Sequence, residues 1–195
     1  MTTGTAPSAV GVIAARIDDG TKLYGSGDTE VRALDSVSEV FEKGKYTAIM
    51  GPSGSGKSTL LHCIAGLDEL SSGQVYIGDV DLGSLGDKDL TLLRREKVGF
   101  VFQSFNLIPT LSAKENVLLP LLIAGEKEDS TWFDQVIGIL GLGDRLNPKP
   151  SELSGGQQQR VAAARALVSR PDIIFADEPS GNLDSSSAAE LLDFM

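Results

Sequence analysis

Residues 51–59 read GPSGSGKST, which fits the spacing G-x-x-x-x-G-K-[ST]. A β-prone run at 46–50 (YTAIM) precedes it and a helix-prone run at 60–67 follows. A strand that turns tightly into a helix leaves backbone N–H groups pointing one way, at the positive end of the helix dipole. Glycines let such a backbone approach a phosphate closely. The loop residues Gly51, Pro52, Ser53, Gly54, Ser55, Gly56, Lys57, Ser58 and Thr59 are therefore expected to bind a nucleotide. Lys57 is expected to reach the outer phosphates, and the Ser58 hydroxyl to bind Mg2+. Average composition gives this pattern by chance in about one chain in a hundred of this length.

Two further stretches carry chemistry. At 171–177 the chain reads PDIIFAD, four apolar residues with an acid at their end. Downstream of a phosphate loop, an Asp at a strand tip can hold Mg2+ through water, which assigns Asp177. Glu178 follows directly and is placed to polarise an attacking water as a general base. The second stretch, LSGGQ at 153–157, heads a helix. A Ser and two glycines at a helix N-terminus can form a second anion site. They can equally be an ordinary N-cap with a flexible turn.

The elements that must position these residues follow from pattern and punctuation. A first strand is expected at 12–17, a turn-rich loop carrying Tyr24 at 21–30, a partly alternating strand at 31–41, and another at 73–79. Together they suggest a small antiparallel sheet beside the nucleotide site. Asp87 is expected to cap a short helix at 87–95, and 98–102 (VGFVF) to form a buried strand of a parallel sheet. From 110 to about 168 the texture is helical. Ser112 with Glu115 forms a capping box, a helix at 131–140 is closed by Gly141 and Gly143, and a third starts at Ser154 and runs to Ser169. The expectation is an α/β core with a helical subdomain inserted at about 110–168. A return to sheet at 173–176 and a final helix from 185 follow, and residues 1–11 are expected to be a loose tail.

Composition bounds the rest. The chain has 195 residues, enough for one domain with a full core. Its apolar fraction of 41% and charged fraction of 23% are ordinary for a globular protein. A formal net charge of −10 argues against broad binding to nucleic acid or anionic lipid. The basic cluster Arg94, Arg95, Lys97 contains Glu96 and reads as a solvated helix end. The single cysteine, Cys63, permits no disulfide within one chain and reads as a small buried hydrophobe in a protein of a reducing compartment. No run is apolar enough to span a membrane, so a role at one calls for a partner that places the chain there.

The motifs in this order, with Gln103 in VGFVFQ and Ser180 to Asp184 in SGNLD, resemble the nucleotide-binding subunit of ATP-binding-cassette (ABC) transporters over residues 12–195. The runs FVFQSFNLIPTLSAKENVLLPL and KLYGSGDTEVRAL look like the branch serving lipoprotein release, macrolide export and related efflux. The resemblance implies an α/β phosphate-loop fold, ATP and Mg2+ as ligands, and ATP hydrolysis coupled to transport through a separate permease. It implies a cytoplasmic place at the inner face of the cell membrane, held there by that permease. It also implies that a second cassette pairs head to tail, so that Ser154, Gly155, Gly156 and Gln157 face ATP held by the partner's phosphate loop. By the same resemblance Tyr24 stacks on adenine, Gln103 reaches Mg2+ and the attacking water, and Asp184 links the two sites. The family's switch histidine lies well beyond the catalytic Glu. This chain ends 17 residues after Glu178, and its one histidine, His62, is expected to pack or cap. The resemblance therefore implies a C-terminally truncated form that binds ATP and hydrolyses it poorly. Against it stand a soluble ABC ATPase of DNA repair or translation, a phosphate-loop GTPase or kinase, and a non-catalytic regulatory module. The first calls for coiled-coil insertions or zinc modules, and the second for an Asn-Lys-x-Asp motif; none occurs.

Overall fold

Strand β1, Ile13–Tyr24, runs the length of a small antiparallel sheet because its apolar residues Ala15 and Ile17 point into one core and are fully buried. The structure, a computed structural model, describes residues 12–178. The expected tail, the 180–184 loop with Ser180 and Asp184, and the final helix from 185 lie outside them.

β1 pairs with β2 (Val31–Glu42) on one side and β3 (Ser72–Ile77) on the other, and a short β4 (Val80–Asp81) closes the order β2-β1-β3-β4. The first strand is thus longer than the 12–17 expected, and the turn-rich loop begins only after Tyr24. Register shifts near Gly20 and Lys22 are absorbed without breaking the ladder, which continues to Tyr24↔Val31.

Helix α1, Lys57–Ile64, packs on β1, β2 and β3. It starts three residues earlier than the apolar run suggested, because Gly56, in the left-handed region at φ 88°, turns the chain into it. α2, Asp87–Lys97, is capped by Gly86, and Asp87 is its first residue rather than its cap. There the carboxylate still favours the positive helix end. Arg94, expected in solvent, donates instead to the Gly66 carbonyl at 2.8 Å, so the last turn of α2 is tied to the end of α1.

β5, Val98–Val101, and β6, Ile173–Ala176, form a parallel pair in the register Val98↔Ile173 to Val101↔Ala176. The run at 46–50 forms no strand among the described residues. Its backbone joins neither sheet, and propensity alone does not make a strand. With residues from β6 it instead lines a cavity of about 560 Å³.

Helices α3 (Ala113–Ala124), α4 (Ser130–Ile139) and α5 (Gly155–Leu167) gather around a core of Val117, Phe133, Val136, Ile137, Val161 and Ala164. The predicted capping box of Ser112 with Glu115 forms on α3, and a second, not anticipated, joins Ser154 with Gln157 on α5. Gly141, at φ 60°, follows α4 as expected, and α5 ends at Leu167, short of Ser169. A second core, with Ala15, Ile17, Ile64, Val75, Ile77 and Phe175, lies under the antiparallel sheet and α1.

Candidate functional site

The loop before α1 presents donors with no acceptor from its own helix. Leu60 N–H is the first to bond within the helix, to the Gly56 carbonyl at 2.8 Å. The N–H groups of Lys57, Ser58 and Thr59 lie before it, at the positive helix end, and no side chain caps them. Gly56 is required here on two counts. Its φ is left-handed, and a Cβ would collide with the Ala33 carbonyl oxygen of β2. Gly51, Pro52, Ser53, Gly54 and Ser55 are exposed around the mouth of the loop. Lys57 Nζ folds back to donate to the carbonyls of Gly51 (3.0 Å) and Pro52 (2.8 Å).

Four predicted residues from three elements meet beside this loop. The parallel register ends at Val101↔Ala176. Continuing it by two residues puts Gln103 next to Glu178, and Gln103 Nε2 donates to Glu178 Oε2 at 2.9 Å. Asp177 is fixed by its N–H, which donates to the Val101 carbonyl at 3.0 Å. Ser58 Oγ on α1 then donates to Asp177 Oδ1 at 2.9 Å. Glu178 adopts φ 44°, a left-handed conformation uncommon for a residue with a Cβ, as is frequent where a side chain must be aimed.

Sequence reasoning missed one neighbour of this group. His62 Nε2 lies 3.7 Å from Asp177 Oδ2, and its ring packs 5.8 Å from that of Phe100. The packing agrees with expectation; the approach to Asp177 had no local signal, since 115 positions separate the two residues (177 − 62). Cys63 beside it is buried as expected, and burial pushes its thiol up to about 11.

The hydroxyl of Ser58 and the carboxylate of Asp177 are a hard-oxygen pair, the donor type that suits Mg2+. No cluster of three or more His, Cys, Asp or Glu side chains able to hold a metal occurs among the described residues. A cation here would thus complete its shell with phosphate and water, as Mg2+ prefers.

The segment leaving Gln103 is bound to the helices. Phe105 and Asn106 are both left-handed, at φ 58° and 49°. Arg165 of α5 takes their carbonyls, Nη2 to Phe105 at 2.8 Å and Nη1 to Asn106 at 2.6 Å. Fully buried Asn116 of α3 accepts from Ile108 N–H at 2.7 Å and donates to the carbonyls of Ile108, Leu111 and Ser112.

Ser154, Gly155, Gly156 and Gln157 do not join the group. Ser154 Oγ accepts from Gln157 N–H at 3.3 Å, Gln157 Oε1 accepts from Ser154 N–H at 2.9 Å, and Ser154 and Gly155 are exposed. Their helix packs on α3, α4 and β5, whereas α1 packs on β1, β2 and β3. Tyr24 ends β1, exposed, and its hydroxyl donates to Asp68 Oδ2 at 2.6 Å.

The chain is similar to known proteins over most of its length. Residues 34–181 match the family model described as ABC transporter. A lipoprotein-releasing system ATP-binding protein LolD of Geobacter metallireducens is 48% identical over 175 residues, 89% of this chain and 78% of the relative. A macrolide export ATP-binding/permease protein MacB of Hyphomonas neptunium is 49% identical over 181 residues, 92% of this chain but only 28% of that longer relative. Among solved structures, the ATP-binding cassette MJ0796, in a dimeric post-hydrolysis state bound to ADP and Pi, superposes with a TM-score of 0.83 at 43% identity. That match covers 92% of this chain and 80% of that one.

Proposed function

The chain belongs to the ABC transporter family, and from that premise we propose that it is a subunit that binds and hydrolyses ATP to drive export through a separate membrane permease. No helix among the described residues is long and apolar enough to cross a membrane. A permease partner supplies the passage and holds the subunit at the inner membrane face. The names of its relatives, in macrolide export and lipoprotein release, support efflux as the direction. The observation that carries the reading is the meeting of Ser58, Gln103, Asp177 and Glu178 at the head of α1.

The chemistry follows from those residues. Backbone N–H groups of the loop and the Lys57 ammonium bind the β- and γ-phosphates, the ammonium exchanging the Gly51 and Pro52 carbonyls for phosphate oxygens. Ser58 and Asp177 hold Mg2+, which when bound neutralises charge developing on the phosphates. Glu178 accepts the proton of the attacking water, and the Gln103 amide, already on the Glu178 carboxylate, orients that water. Tyr24 offers its ring to the adenine. The exposed Ser154 helix end, placed apart from the loop, completes the site of a second cassette across a dimer.

The test is phosphate release from ATP with and without Mg2+, combined with purification of the chain from detergent-solubilised membranes. Mg2+-dependent release and recovery with a polytopic membrane protein are expected. ATP binding with no Mg2+-dependent release at all, as distinct from a slow one, or recovery with no membrane protein, overturns the proposal.

A further inference from the structure

We infer that Asp68 and Lys22 are positioning residues that hold the Tyr24 ring at a fixed angle and leave one face of it for the base. This rests on the reading of Tyr24 as the adenine platform.

The ring is fixed at its hydroxyl, at one face and through the neighbouring backbone. Its hydroxyl donates to Asp68 Oδ2 at 2.6 Å, and Lys22 Nζ pairs with the other oxygen, Oδ1, at 2.5 Å. One carboxylate therefore grips both residues. The same ammonium donates to the Glu69 carbonyl at 2.6 Å and stands 4.9 Å from the Tyr24 ring centroid, over its face. Leu23 N–H donates to Ser71 Oγ at 2.9 Å, tying the backbone between Lys22 and Tyr24 to the same segment. The Lys22 side chain is only 12% exposed, whereas Tyr24 is 42% exposed. A lysine buried under one ring face and an open ring above it describe a platform with a single usable side.

The segment that grips the ring is itself anchored to the phosphate loop. Gly66, left-handed at φ 67°, ends α1 with its N–H on the Cys63 carbonyl at 3.0 Å, and Leu67 N–H reaches back to the His62 carbonyl at 2.8 Å. This is a Schellman closure. Asp68 N–H bonds the same His62 carbonyl at 3.2 Å, so its position is set by the helix that begins in the loop. The grip on the base platform and the phosphate cradle are thus set at the two ends of one helix. The protonation states suit this role. The hydrogen bond to Asp68 raises both the Tyr24 phenol and the Lys22 ammonium above their ordinary ranges. Burial pushes the Asp68 carboxyl up, and the hydrogen bonds from Lys22 and Tyr24 overcome it and hold the group low. At neutral pH the donors keep their protons and the acceptor stays ionised.

The experiment compares binding of ATP and of inorganic tripolyphosphate, which has no base. The 195-residue chain is measured beside Tyr24→Ala, Tyr24→Phe, Asp68→Asn and Lys22→Met. Tyr24→Ala is expected to weaken ATP roughly 5- to 150-fold, the loss of one base–aromatic stack, and to leave tripolyphosphate unchanged. Asp68→Asn, Lys22→Met and Tyr24→Phe are each expected to weaken ATP at least about threefold, less than the loss of the whole stack, again without effect on tripolyphosphate. Tyr24→Phe combined with Asp68→Asn should lose no more than the larger single loss. If Tyr24→Ala weakens ATP while Asp68→Asn and Lys22→Met bind it normally, the positioning role is wrong and the platform stands. If Tyr24→Ala binds ATP normally, the platform reading itself falls and takes this role with it. Equal weakening of ATP and tripolyphosphate by Asp68→Asn also overturns the inference, because it means damage to the loop.

Discussion

Gln103 Nε2 lies 2.9 Å from Glu178 Oε2 because two parallel strands end in register and each carries its polar residue two positions past the last pair. The amide thereby fixes the carboxylate proposed to take a proton from water. Neither position is adjustable alone. Asp177, between Glu178 and β6, is bonded to the Val101 carbonyl, and Glu178 is in a left-handed conformation.

Glu178→Gln is expected to lower the hydrolysis rate by about 100- to 10,000-fold, the usual worth of a positioned general base. ATP binding should persist, because the loop and Lys57 are untouched. Gel filtration with ATP should then show a persistent dimer. A monomer under those conditions would count against a site shared between two cassettes.

Ser154 separates two roles that coincide in the wild type. Ser154→Ala removes a helix cap at a cost of about 1 kcal/mol and also removes the hydroxyl offered to a partner. Ser154→Asp keeps the cap but faces phosphate with a negative charge. Thermal melting should fall for Ala and be retained for Asp, and ATP-dependent dimerisation should be lost in both. An Asp variant that dimerises normally would reduce Ser154 to a cap.

Asn116→Ala deletes the buried amide that satisfies Ile108 N–H and the carbonyls of Ile108, Leu111 and Ser112. Leaving such groups unpaired costs about 1–3 kcal/mol. Urea denaturation should show the loss as a lower midpoint with an unchanged slope. An unchanged midpoint would mean that water takes over the bonds.

Stability should fall on the acid side. The Asp172 carboxyl is held low first by the hydrogen bond from Lys43, and Asp68 is held low by Lys22 and Tyr24 against its burial. A folded pKa below the unfolded one contributes stability above the unfolded value, about pH 4, and that contribution is lost as pH falls through the folded value. Melting temperature should therefore be flat near neutrality and drop below about pH 4, with a shallower drop in Asp68→Asn. An equally steep drop in that variant would remove Asp68 from the account.

Much of this site was legible because its signals are local. The glycine–lysine spacing of the loop, the Ser-x-x-Glu box of α3 and the two apolar runs that become β5 and β6 each state their geometry within a few residues. What escaped reading depends on distance or on missing partners. Lys22 and Asp68 are 46 positions apart, and a lone charge in a sequence does not name its mate. Phe105 and Asn106 are left-handed without a glycine to announce it, since Arg165 rather than local preference holds them. The run at 46–50 has the composition of a strand, but a ladder needs a neighbour, which composition cannot supply.

The grip of Arg165 on Phe105 and Asn106 has a mechanical meaning. Together with Asn116 it makes the 105–112 segment part of the helical body, and the Phe105 N–H on the Phe102 carbonyl closes the turn that carries Gln103 and Ser104 between that body and the Glu178 carboxylate. On the proposed role of Glu178, a displacement of the helices would reach its carboxylate through one hydrogen-bonded turn and one side-chain amide, a lever of fixed length.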